Sequence, residues 1–199
     1  MKKSLISAAV FALGASIVRA RTHDVAFTYR MGAGFPGDVN RMHPASIVPS
    51  LMDPANPISL YGSPAIINSA TNTVRGVLAS DQATVTSIAG ILVRPFPTQQ
   101  TVGGSNAVFG AATPPVTGIC DIIEDGFVIV LCPDFAVNPP FKGAPAFVWA
   151  AATAGNKILG GFVALTGGAS SITLSNAEFN GPPDAAGVCE LRVWKAKKT

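Results

Sequence analysis

The sequence predicts an all-β fold, a single β-sandwich or β-barrel domain with an N-terminal helix or arm and a long Pro-rich extended loop. Three observations predict it. The 20 glycines and 16 prolines of this 199-residue chain break it into runs too short for ordinary helices. Val, Ile, Thr and Phe are frequent, whereas Glu and Lys, which favour helix, are scarce. Beyond residue 24 the apolar residues recur with period two, and helical spacing is rare.

The first 20 residues open with Lys2 and Lys3, continue through the uncharged stretch 4–18 and end Val18-Arg19-Ala20, the outline of a secretory signal with a small-residue cleavage site. The same stretch sets Ile6, Val10, Leu13 and Ile17 at helical spacing among alanines, which suits an uncleaved helix with a broad apolar face. Arg19 and Arg21 are awkward neighbours for a cleavage site, and about 15 apolar residues are too few for a comfortable membrane span. Residues 1–22 are therefore expected to be an N-terminal arm or helix, with a signal peptide as the alternative and no membrane partner.

From Val25 the pattern alternates, Val25, Phe27 and Tyr29 on one face and Ala26, Thr28 and Arg30 on the other, which reads as a first strand. Residues 31–37 are too rich in Gly for regular structure. Pro44, Pro49, Pro54, Pro57 and Pro64 then exclude a helix and any central strand over 44–64 and predict a long extended arm or loop. Strand-like runs follow at 73–78, 87–94, 118–123, 127–132, 146–151, 171–174 and 188–194. In the last, Cys189, Leu191 and Val193 point inward and Glu190 and Arg192 outward. The run 127–132 is apolar on both faces and should be central or covered by another subunit. The domain plan is an arm over 1–22, a β-rich domain over 23–194 that includes the arm 44–64, and a basic tail over 195–199.

Only 13% of the chain is charged, and its mean hydropathy is +0.40, high for a free monomer. A surface of that kind needs a partner. The formal charge of +3 hides an asymmetry, because Lys2, Lys3, Arg19, Arg21, Arg192, Lys195, Lys197 and Lys198 sit at the ends and leave an acidic body. Basic residues interleaved with aromatics are absent from that body, so nucleic acid is not expected as a partner.

Little in the chain could carry catalysis. Cys120, Cys132 and Cys189 have no Cys-x-x-Cys spacing and each follows an apolar residue, so they read as small core hydrophobes in a reducing compartment. His23 and His43 read as ordinary histidines, and no metal or cofactor is expected. Asp121, Glu124 and Asp125 form an acidic cluster where two strand-like runs meet and read as a solvated hairpin turn. The glycines of 32–37 lack the Lys-Ser/Thr of a phosphate loop, and no Gly-x-Ser-x-Gly elbow exists. A small hydrolase would need a convergent polar pocket built from these few groups.

Phe27-Thr-Tyr-Arg-Met-Gly-Ala-Gly-Phe-Pro-Gly-Asp-Val-Asn-Arg41 resembles the opening of the phage structural cement protein family. The likeness continues at Val93-Arg94-Pro95-Phe96-Pro97-Thr98-Gln99-Gln100, and again from Asn176-Ala177-Glu178-Phe179-Asn180-Gly181-Pro182 through Asp184 and Gly187 to Val188-Cys189-Glu190-Leu191. The resemblance implies a β-rich, non-enzymatic virion subunit that binds the assembled major capsid protein on the outside of the head and bridges capsomers. A homo-oligomer, with a trimer preferred, follows from the same resemblance. Candidate capsid contacts are Ile6, Val10, Leu13, Arg19 and Arg21 in the N-terminal segment and Pro44, Pro49, Leu51, Pro54 and Pro57 in the Pro-rich one. The competing expectation is an exported periplasmic or secreted β-sandwich that binds a ligand or surface.

Overall fold

The structure is a computed structural model and describes residues 34–39, 44–94 and 113–195. The expected first strand at Val25, the segment 1–22, His23, His43 and the tail beyond Lys195 lie outside the described residues.

The two apolar runs at 118–123 and 127–132 form one strand, and the hairpin turn expected between them does not exist. Strand β5 runs without interruption over Gly118–Leu131. Glu124 and Asp125 are strand residues, Glu124 pairing with Lys195 at 2.9 Å and Asp125 lying opposite Ser46. Gly126 supplies the bend a turn would otherwise make, at φ +137, where a Cβ would press on Ile123 and Ala45.

The first half of β5 is bonded on both sides. Strand β1 (Ser46–Met52) runs antiparallel to it from Ser46 opposite Asp125 to Met52 opposite Gly118, and β4 (Gly90–Leu92) pairs through Ile91 with Ile123 and Leu92 with Ile122. Strands β2 (Pro64–Asn68) and β3 (Thr73–Arg75) complete the circuit β1-β3-β2-β4-β5 and back to β1, a closed five-stranded barrel. The second half of β5 pairs with β9 (Val188–Val193), which continues into β8 (Ser171–Phe179), β6 (Pro145–Trp149) and β7 (Phe162–Val163).

Two cores follow from the period-two alternation of the shared strands. Leu92, Cys120 and Ile122 point into the barrel with Met52, Ile58, Tyr61, Ala65 and Val74. Their neighbours Ile91 and Ile123 point the other way, into a larger core with Val128, Val130, Phe162, Phe179 and Leu191. The alternation read in 188–194 holds, with Cys189, Leu191 and Val193 buried, Glu190 half-buried and Arg192 exposed.

The Pro-rich segment corrects an expectation, because part of it is strand. Residues 46–52 form β1 across Pro49, which faces Asp121 of β5. The amide of Asp53 bonds the Val74 carbonyl at 2.8 Å, toward β3. By alternation the amide positions of Pro49 and Leu51 face that same side, away from β5. The N–H that Pro49 lacks is therefore not one the β1–β5 ladder uses, which is how a proline is tolerated in a strand. Pro64 is accepted for the related reason that it begins β2.

Run 73–78 stops at Arg75 because that side chain turns aside. Its guanidinium makes two bonds to the Asp81 carboxylate, 2.7 and 2.8 Å, at the start of a 3-10 helix over Ala79–Ala83. The two lobes are stitched by the buried Asn176 of β8, which accepts the Ile88 amide and donates to the carbonyls of Ile88 and Trp194.

All three cysteines are free thiols within the cores, as expected of small hydrophobes. Burial, with the nearby Asp134 adding to it, pushes the Cys132 thiol up to about 11. Burial raises Cys189 further still, next to Cys132. Because the thiolate is the reactive form, native protein at about pH 8 should resist iodoacetamide and take up three equivalents only on unfolding, read by intact mass.

Burial works against ionisation of Asp81, but the Arg75 bond and the Leu78 amide outweigh it and hold its pKa below the ordinary 3.8. The stability this supplies is complete above about pH 4 and is lost as pH falls through the lowered value. Arg75→Met, which strands the carboxylate, should cost about 3–5 kcal/mol in urea unfolding at neutral pH. The gap to wild type should narrow in acid.

Candidate functional site

Among the described residues no three His, Cys, Asp or Glu side chains cluster as a metal site would require, and no helix is long and apolar enough to cross a membrane. What the domain offers is surface, and one tightly built junction beneath it.

The junction gathers two of the segments that carry the family resemblance. Gly37 and Asp38 bond the backbone of Ile129 in β5, through Gly37 N–H to the Ile129 carbonyl at 2.8 Å and Ile129 N–H to the Asp38 carbonyl at 2.9 Å. The Arg94 amide donates to the Gly37 carbonyl, and the Arg94 guanidinium lies 5.2 Å from the ring centre of Phe35 and 5.5 Å from that of Tyr61. Asp38 approaches it at 3.7 Å. Gly62, at φ +75, has no room for a side chain: a Cβ would sit 2.8 Å from the Gly37 nitrogen and 2.9 Å from the Ile129 carbonyl oxygen. Beside this junction is a cavity of about 130 Å³ lined mostly by apolar groups, among them Leu60, Tyr61 and Phe162. The arrangement fixes residues 35–38 to the second half of β5; no acid, base or nucleophile is poised in it.

The uncovered apolar side chains are the other feature. On the outer face of the β1–β5 ladder Leu51 lies opposite Ile119, and they are 53% and 74% exposed. Ile47 and Pro49 extend this patch along β1. Beyond the far end of β5, the loop 132–144 presents Val137 at 70% and Phe141 at 67% exposure.

Of the sequence-predicted contacts, Pro49 and Leu51 share β1, Pro44 and Pro54 are exposed, and Pro57 is half-buried. Ile6, Val10, Leu13, Arg19 and Arg21 lie outside the described residues. Sequence reasoning missed Ile119, Val137 and Phe141. The run 118–123 reads as a strand, but only the β1 register shows that Ile119 faces outward. Phe141 follows Pro139-Pro140, and a large apolar residue in such a turn is a signal that could have been used.

A model of the XM1 gp53 minor capsid protein family matches residues 25–193. The chain belongs to that family. In fold it is similar to a chain from a structure of the capsid of Myoviridae phage XM1, at a TM-score of 0.58 and 18% identity, covering 85% of this chain and 96% of that one. No curated protein matches it. As a member of the XM1 gp53 minor capsid protein family, it is a non-enzymatic structural component of a phage capsid. That is the coarser part of what the resemblance implied, and it speaks against an exported binding module.

Placing Ala at position 62 forces a Cβ into backbone atoms at a left-handed φ. Gly62→Ala should lower stability by about 2–4 kcal/mol in denaturant unfolding, whereas Gly118→Ala, also at positive φ but in open space, should cost less.

Proposed function

We propose that the protein is a cement or decoration subunit that binds the outside of the phage head and stabilises contacts between capsomers. The observation that carries this reading is that strongly exposed apolar side chains occur at more than one place on the domain, among them Leu51 and Ile119 on the β1–β5 ladder and Val137 and Phe141 on the loop after β5. A single interface would need one patch; a subunit that joins neighbours needs at least two.

The partner on the shell is the major capsid protein. Its contacts are assigned to the N-terminal segment, through Ile6, Val10, Leu13, Arg19 and Arg21, and to the Pro-rich segment, through Pro44, Pro54 and Pro57. Proline supports this role, because a segment with fewer unfolded conformations loses less entropy on lying down against a neighbour. Pro49 and Leu51, on the outer face of β1, are available to either a shell subunit or another copy. A trimer is the preferred oligomer.

Full-length protein mixed with undecorated heads should co-sediment to saturation with residues 1–20 still present by intact mass. Deleting residues 1–22 should weaken that binding without unfolding the β domain. Binding that never saturates, or none at all, would sink the cement reading, and undiminished binding of the deletion would remove the N-terminal segment from it.

A further inference from the structure

Most charged side chains among the described residues have a partner. Arg75 is held by Asp81, Arg94 lies between two rings near Asp38, Lys157 sits over Trp149, Arg192 faces Glu178 and Lys195 pairs with Glu124. Asp53 and Asp134 are buried and take hydrogen bonds from Asn68 and Asn138. Asp121, Asp125 and Lys142 are exposed and their side chains make no hydrogen bond, ion pair or ring contact; of these, Asp121 stands beside Ile119 and Lys142 beside Phe141. Asp121 and Lys142 thus each accompany one of the two apolar patches. Asp121 is two residues from Ile119 on the same face of the ladder, opposite Pro49. Lys142 follows Phe141.

The Lys142 end is held in shape before anything docks on it. The Asp134 carbonyl accepts the amides of Val137 and Asn138, and its carboxylate accepts the Asn138 side-chain amide at 2.8 Å. The Phe141 carbonyl accepts the Ala144 amide, the Gly143 amide donates to Phe179 in β8, and Pro139 and Pro140 stiffen the stretch between. Val137 and Phe141 are thus displayed on a constrained loop, so burying them orders little further chain.

We infer that the two ends bind each other between copies: the loop carrying Val137, Phe141 and Lys142 docks on the Leu51–Ile119 face of a second copy, with Lys142 meeting Asp121. Within one molecule both ends are exposed, so neither covers the other. A two-fold pairing of like ends would set Lys142 against Lys142 or Asp121 against Asp121, so the charges select unlike ends, which meet in an antiparallel two-fold pair or in a head-to-tail contact. Head-to-tail contacts close into rings or continue as chains around a shell. This deepens the cement reading and rests on it for its setting, by assigning Pro49 and Leu51 to a neighbouring copy and leaving the shell to the other contacts.

The test is sedimentation equilibrium of the full-length chain at low and high salt. Wild type should self-associate, more weakly as salt rises. Phe141→Ser and Lys142→Asp should each weaken association about tenfold or more, and adding Asp121→Lys to Lys142→Asp should restore it to within about threefold. All three positions are exposed, so thermal unfolding should stay at the wild-type value in each variant. A wild-type chain that stays monomeric, an association indifferent to Lys142→Asp, or a charge reversal that fails to rescue would each overturn the proposal. Copies that associate in this way yet ignore phage heads would sink the cement reading alone; a monomer that saturates heads would sink this contact alone.

Discussion

Everything in this fold depends on β5 being one strand with two sets of neighbours. Its first half closes the barrel through β1, and its second half carries β9 and the rest of the second sheet. Both cores need it, since Ile122 and Ile123 are adjacent and fill different interiors. The constraint reaches into the strands alongside. Gly90 of β4 lies so close that a Cβ there would stand 2.2 Å from the Ile123 carbonyl oxygen. A bend without a break is met by Gly126, and the free side of the second half is taken by the backbone of Gly37 and Asp38. The glycines and the Arg94 junction are thus parts of one solution to housing a 14-residue strand.

How much of this was legible in the sequence depends on whether the deciding contact is local. Strand β9 is half-buried, so its alternation shows directly, and the cysteines sit in apolar runs that announce a core. The turn expected at Glu124-Asp125 fails because acidic residues before a glycine are a local turn signal, overridden by pairing with β1 about 70 residues earlier. Strand β1 was hidden by Pro49 for a similar reason. Proline excludes a strand only where its nitrogen faces a partner, and the sequence alone does not tell which side that is. The candidate contacts were legible in the same partial way. Leu51 was named as part of an arm and is exposed on a barrel wall instead, while its neighbour Ile119 becomes visible only through register. The family motifs marked Gly37 and Arg94 but not their common task, which is steric and becomes apparent once both meet Ile129 and Tyr61.

The surface follows from the same arrangement. Barrel and second sheet hide one face each, and most charged side chains among the described residues are engaged in pairing. Exposed apolar side chains such as Leu51, Ile119, Val137 and Phe141 are then a prominent feature of the described surface. That suits a capsid component, for which being held by neighbours matters more than recognising a small molecule.

The bonds that tie the lobes together also determine the order in which the molecule comes into being. Asn176 reaches back 88 residues to Ile88, and β5 waits for β9 before its second half is paired. Such distant contacts must overcome loop-closure entropy before they return any stability, and all-β domains of this kind fold in milliseconds to seconds rather than microseconds. During synthesis the barrel strands leave the ribosome well before β8 and β9 exist, so Ile91, Ile123 and Val128 stay wet until the last few tens of residues arrive. The finished subunit is therefore an all-or-nothing product, in which the loop 132–144 gains its bond to Phe179 only once β8 is made.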